Sequence, residues 1–317
     1  MAGRRPSFLR PEAGSRGLAT ADPVEALAIV RAAYSGVAEL ARTVNLDGYS
    51  RIPGHTRRDM LVPLGDWEEH TFFAGLVEDA RFGRSHDLDD DGARNRMIVA
   101  AHTDATADDL VLALERTIER AEAFLASAEA ETVGRMFSSS PVGPLPVTSI
   151  IVASAFEAAV HALDVAAPEN VPAQVLDAGV AALVDTTGAL AARHRISTTF
   201  AVRTPSVTWA AGSHGDSWTT AHLHPQESRF DWPGVRGHAA DVIEAASGRA
   251  NPAQLVLSRK LRVHDIPALL TLLPALEDVP GMGGGTAAKA ALRALGQTGR
   301  LFGQLSRLTA PDPDRAG

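Results

Sequence analysis

The chain contains no cysteine in 317 residues. Disulfides, thiolate-bound zinc and a protein-borne thiol nucleophile are excluded, so any thiol chemistry must use a thiol brought by a cofactor or substrate. Aromatic residues are also scarce, 5% against 45% hydrophobic residues overall, which leaves alanine and aliphatic side chains to build the core. That composition favours packed helices over a β-sandwich, because alanine is the best helix former and a poor strand filler. Positive charge is in deficit: 30 Lys and Arg against 38 Asp and Glu give a net charge of -8. This balance argues against nucleic acid or an anionic membrane surface as a partner. No apolar run is expected to reach the ~18 residues that a membrane span needs. Arg4-Arg5 and Phe8-Leu9-Arg10 are followed by the polar run GSRGLATADP and no apolar stretch, so an export signal is not expected. Residues up to Ala21 read as a disordered lead, and the protein as cytoplasmic.

What is present is mostly helix signal. A chain of 317 residues exceeds what one hydrophobic core usually holds, so two domains are expected. Asp22-Pro23-Val24-Glu25 is a helix start, and Leu27, Val30, Tyr34, Val37, Ala41 and Val44 then recur at threes and fours. Thr56 with Asp59 resembles a capping box for a second helix, which Pro63 should kink or divide before it continues through Trp67, Phe72, Phe73 and Leu76. The acidic segment Gly83 to Arg96, with His86, Asp87, Asp89, Asp90 and Asp91, lacks the order of a calcium loop and reads as a solvated loop. A helix capped by Thr106 and Asp109 runs to Leu125, SSSPVGPLP breaks the chain, and another helix fits 172–194. After Arg195 the character changes. Thr198 to Val202, Ser206 to Ala210 and Ser217 to His224 alternate as short antiparallel strands. A helix fits His238 to Ala246, LVLSRKLRV reads as a strand pair or one bent strand, and Asp265 caps a helix through Leu276. The tail carries Lys289, Arg293, Arg300 and Arg307 beside Leu and Phe, and reads as a peripheral docking helix.

The chemistry-bearing stretch is VTSIIVASAFEAAVHALDVA, Val147 to Ala166. As a helix it places Ser154, Glu157, His161 and Asp164 at spacings of three, four and three, on a single face. The remainder is almost wholly Ala, Val, Ile and Phe, so charge there is costly unless it meets a partner, a metal or a cavity. A Glu four residues before a His is a common way for a helix to supply two ligands to a divalent metal. The same spacing is also common as a plain helix-surface pair.

Pro53, Gly54, Thr56, Arg58, Asp59 and Leu64 match in register a helix start of the form Pro-Gly-Trp-Thr-x-Arg-Asp-Leu-x-x-His-Leu. In this, and in Glu157, His161 and Asp164, the chain resembles the mycothiol-dependent maleylpyruvate isomerase family. Ala240-Asp241, Gly248-Arg249 and the LRVHD of Leu261 to Asp265 look like the sterol-carrier-like domain found behind such bundles. The resemblance implies a mixed α and α+β fold. A DinB-like four-helix bundle would span 22–195, a small α+β sterol-carrier-like domain 196–280, and a docking helix and tail 281–317.

Two departures bear on the chemistry. His55 stands where the family has Trp, and Pro63 where it has its first metal-binding His. Glu157 and His161 then remain as metal ligands, with His55 the candidate third; His70 lies seven residues past Pro63, ~10 Å along a helix, too far without rearrangement. The family likeness implies mycothiol as thiol cosubstrate and a divalent metal, zinc first, that would lower the thiol's pKa. The thiolate would add to a small electrophile, either leaving again after isomerisation or staying attached in a transfer. Asp164 would orient a neighbouring group. Arg249 would contact a carboxylate or a sugar hydroxyl, or be a surface arginine near a helix end. A second reading keeps the fold and discards the metal. Glu157 and His161 are then a buried pair, or a general base, in a small-molecule-binding module or non-catalytic subunit. Transcriptional regulation has no support, since no basic recognition helix is found.

Overall fold

The computed structural model describes residues 8–68, 72–84, 91–223 and 232–276. The first helix, α1 (Pro23–Thr43), begins where its signals place it: the Asp22 side chain accepts from Val24 N at 2.9 Å, and Pro23 needs no partner there. Thr56 and Asp59 make the expected capping box at the start of α2 (Arg57–Leu61). Pro63 divides the segment. A 3-10 turn spans Val62–Leu64, Trp67 Nε1 donates to the Val62 carbonyl at 2.8 Å, and helix resumes as α3 (Phe72–Arg81). The acidic loop ends earlier than expected, because Asp91–Ala101 forms α4. The second capping box, Thr106 with Asp109, opens α5 (Ala107–Leu125). Two short paired strands, β1 (Phe137–Ser138) and β2 (Leu145–Pro146), carry the chain into α6 (Val147–Val165) and α7 (Ala173–Arg193).

Helices α1, α5, α6 and α7 pack into a bundle, and the sheet packs against α7. The sheet comprises β3 (Thr198–Arg203), β4 (Thr208–His214), β5 (Ser217–His222), β6 (Gly234–Gly237) and β7 (Leu261–His264), in the order β5-β4-β3-β6-β7. Most neighbours are antiparallel, as expected, but β3 and β6 run parallel, with Val202 opposite Val235. The helices α8 (Ala239–Ala246) and α9 (Pro252–Leu257) link β6 to β7. The first third of LVLSRKLRV is thus helix, not strand: Asn251 caps it by accepting from Ala253 N at 2.9 Å, and Pro252 occupies its first turn. Asp265 caps α10 (Ile266–Leu270) as expected, but the helix breaks before α11 (Leu273–Leu276), whose second residue is Pro274.

α7 is apolar on nearly every side because it is covered twice, by the bundle and by the sheet with α8. At Gly179 an added Cβ would lie 2.6 Å from the Ala159 methyl and 3.2 Å from Ile243, so the close approach of α6, α7 and α8 needs glycine. By length and composition α6 and α7 both reach what a membrane span needs, contrary to the sequence expectation, yet both are mostly buried as core helices of this fold. The expected disordered lead is also corrected. Leu9 N donates to Thr199 Oγ1 at 3.0 Å, Trp218 N donates to the Ser15 carbonyl at 3.2 Å, and Leu18 is fully buried. Burial of Leu18 and backbone pairing to β5 hold residues 9–18 against the sheet. His70, then His86, Asp87, Asp89 and Asp90 of the acidic segment, and the expected tail helix of 281–317 lie outside the described residues.

Candidate functional site

The polar face of α6 is where its spacing puts it. Ser154 donates to the Ile151 carbonyl at 2.6 Å, Glu157 is exposed, His161 is half-buried, and Asp164 is buried. The Asp164 carboxylate has no exposure, and Arg249 grips it with both prongs: Nε to Oδ1 at 3.1 Å and Nη2 to Oδ2 at 2.8 Å. That parallel pair is the strong, directional form of ion pair, and it ties the α8–α9 turn to the bundle. Gly248, at φ +72°, ends α8 and turns the chain so that Arg249 faces α6. A second link runs alongside. Arg51 N donates to the Asp164 carbonyl at 2.8 Å, and the Arg51 guanidinium pairs with Glu244 on α8.

His161 stands among Glu157, Asp164 and Arg249, close enough for all three to act on its charge. Burial pushes the imidazole pKa down from its ordinary value and Arg249 reinforces that, while Glu157 and Asp164 oppose it. Burial outweighs the two carboxylates, so the ring is neutral near pH 7. Its Nδ1 is buried and has no hydrogen-bond partner among the described residues. A buried, unpaired ring nitrogen is a cost that a folded protein normally removes. On the α1 side, burial drives the Tyr34 phenol up to about 12, with Ser154 close enough to hydrogen-bond it and the Glu157 charge adding to the rise.

The expected three-ligand set does not assemble. His55 lies exposed in a turn closed by Ser50 N on the His55 carbonyl, 2.9 Å, and by His55 N on the Ile52 carbonyl, 3.2 Å. Pro63 sits in its 3-10 turn and offers no donor atom. Among the described residues no group of three or more His, Asp or Glu is placed to hold a metal ion. Asp164 and Arg249, read separately from the sequence as an orienting acid and a ligand-contacting arginine, instead hold one another. Sequence reasoning placed Tyr34 in the apolar stripe and passed over Arg51 and Glu244. A phenol inside such a stripe needs a polar partner, which was the available signal for Tyr34.

Residues 14–166 match the family described as "Mycothiol maleylpyruvate isomerase N-terminal domain". Over this stretch the chain is similar to the N-terminal domain of the mycothiol maleylpyruvate isomerase family. The matched stretch carries α1 to α6, hence Tyr34, Glu157, His161 and Asp164, whereas Arg249 lies beyond it. Two solved structures resemble the chain more widely. One is a "Crystal structure of the mycothiol-dependent maleylpyruvate isomerase", 15% identical, with a TM-score of 0.45 and covering 74% of this chain and 93% of that one. The other is a histidine-to-alanine mutant under the same description, 16% identical, with a TM-score of 0.46, 74% and 92% covered. No curated protein matches the chain.

Proposed function

We propose that this protein is a thiol-dependent enzyme of the maleylpyruvate isomerase kind, using mycothiol and a small electrophilic substrate, with His161 as the proton acceptor. The observation that carries this reading is the buried Nδ1 of His161, unpaired inside a ring of charges. The match of residues 14–166 to a domain family named for mycothiol supports the choice of thiol. The family likeness also implies a divalent metal. Glu157 and His161 supply two donors and no third joins them among the described residues, so these residues do not fit a three-ligand centre and no step is assigned to a metal.

A low-molecular-weight thiol ionises only slightly at neutral pH, so it needs a base. The neutral imidazole takes the S–H proton, and Glu157 and Asp164 stabilise the imidazolium that results. The thiolate sulfur then bonds to the β-carbon of an unsaturated carbonyl substrate, and the π electrons move to the carbonyl oxygen. Rotation about the new single bond, followed by C–S cleavage as the electrons return, gives the isomer, and the proton passes back to sulfur. Retention of the C–S bond, with the proton delivered to carbon, gives the transfer product instead. Arg249, 36% exposed while holding Asp164, presents its open side to a substrate carboxylate.

The test measures isomerisation of maleylpyruvate with mycothiol, and thiol loss with other Michael acceptors. His161→Gln should lower the thiol-dependent rate by about 100-fold or more, the usual weight of a positioned base. An unchanged rate in this variant rejects the proposal. A second reading, a binding module without turnover, is favoured by the incomplete donor set. It predicts saturable thiol binding to the wild-type protein, no rate above the thiol alone, and no bound metal on elemental analysis.

A further inference from the structure

A cavity of about 340 Å³ opens between α1, α7 and the β4–β5 hairpin. It is separate from the site on α6. Glu25, Ala28, Ile29 and Ala32 line it from α1, at the spacing of one helical face, while Tyr34 projects from the opposite side of that helix. α7 contributes the same pattern through Gln174, Asp177, Ala178 and Ala181. The far wall is the cross-strand pair Trp209 and His222, with ring centroids 5.0 Å apart.

The charges in this cavity do not balance. Glu25 and Asp177 are both half-buried there, and no Lys or Arg among the described residues lines the cavity. Asp177 accepts from Ser206 Oγ at 2.6 Å, and no side chain among the described residues hydrogen-bonds the Glu25 carboxylate. Burial pushes both carboxyl pKa values up; His222 opposes this at each, while Asp185 and Asp22 add to it at Glu25. An anion is repelled by such a cavity. A neutral apolar ligand would strip water from two carboxylates and return nothing to them. A hard divalent ion needs about six oxygen donors and gains nothing from an aliphatic and indole wall.

We propose that this cavity binds a small organic cation, a protonated amine on an apolar or aromatic body. The ammonium donates to Glu25 and Asp177, and the body lies on Ile29, Ala181 and the indole of Trp209. Phenethylamine serves as the probe, with phenylacetate and 2-phenylethanol as its anionic and neutral counterparts, followed by calorimetry and ligand-observed NMR on the full chain. Phenethylamine should saturate below about 10 mM, with the neutral alcohol at least about tenfold weaker and phenylacetate not binding. Glu25→Gln with Asp177→Asn, near-isosteric changes checked for an unchanged melting temperature, should remove that preference for the cation. His161→Gln should leave phenethylamine binding intact, which separates this site from the one on α6. Equal binding of amine and alcohol, no saturation by the amine, or an undiminished preference in the double variant would each overturn the proposal.

Discussion

Two apolar helices lie side by side at the centre of this protein, and each buries an ionisable residue in a different manner. On α7, Asp185 is 1% exposed and fully served: Leu18 N, Trp218 Nε1 and Thr220 Oγ1 donate to Oδ1 at 3.0, 3.1 and 2.7 Å, and Ser149 Oγ to Oδ2 at 3.2 Å. On α6, His161 keeps a buried ring nitrogen that no group among the described residues hydrogen-bonds. Both pKa values move in the direction that burial dictates, up for the acid and down for the base. Burial and a shifted pKa therefore do not separate structure from chemistry here. Completion of the hydrogen bonds is the difference: Asp185 is a joint between the N-terminal segment, α6, α7 and β5, whereas the His161 Nδ1 stays unpaired among the described residues.

The largest effect should come from breaking the joint. Asp185→Ala leaves four buried donors unpaired and should cost about 3 kcal/mol or more in urea unfolding. Asp185→Asn keeps an oxygen for the three Oδ1 donors and can turn its amide to the Ser149 hydroxyl. It also removes a carboxylate whose charged form burial disfavours, so its cost should stay within about 1 kcal/mol. Equal losses in the two variants would mean that the charge of Asp185, and not its hydrogen bonds, holds the joint together.

Arg249 gives the intermediate case. Removing it strands the Asp164 carboxylate, which has no exposure, but the guanidinium itself is 36% exposed and partly screened. The cost of Arg249→Ala should be about 2 kcal/mol, below that of a fully buried pair. Arg249→Lys keeps the charge and loses the two-pronged grip, and should recover about half. If Asp164 only braces the fold, both variants lower stability and leave the thiol-dependent rate per folded molecule unchanged. A rate that falls with Arg249→Lys beyond the stability loss places the pair in the chemistry.

Parts of this arrangement were legible in the sequence because their causes are local. The boxes of Thr56 with Asp59 and Thr106 with Asp109, the division at Pro63, and the shared face of Ser154, Glu157, His161 and Asp164 each depend on residues within one or two turns. What failed had causes elsewhere in the chain. Residues 9–18 look like a loose lead until Asp185, 167 positions after Leu18, demands a donor. Val256 and Leu257 look like strand, but Asn251-Pro252 starts a helix before them. The parallel pairing of β3 with β6 leaves no local signature at all. Asp164 and Arg249 could be named as candidates, but 85 residues separate them and no pattern announces that they pair.

The smallest expected effect is the dependence of stability on acid, and it tests His161 without any substrate. The folded pKa of the ring lies below the unfolded value of about 6.5, so between the two the unfolded chain binds the additional proton. Stability from this group is therefore complete above pH 6.5, falls as the pH drops through the window, and levels off below the folded value. His161→Gln should remove that part of the slope and leave the slope due to the carboxylates. The comparison is made by urea unfolding of both proteins at a series of pH values from 7.5 downward. A variant as acid-sensitive as the wild type would mean that the native ring protonates freely. Burial would then not set the ring's protonation, and the water-excluded setting on which the assignment of proton transfer to His161 rests would fail along with it.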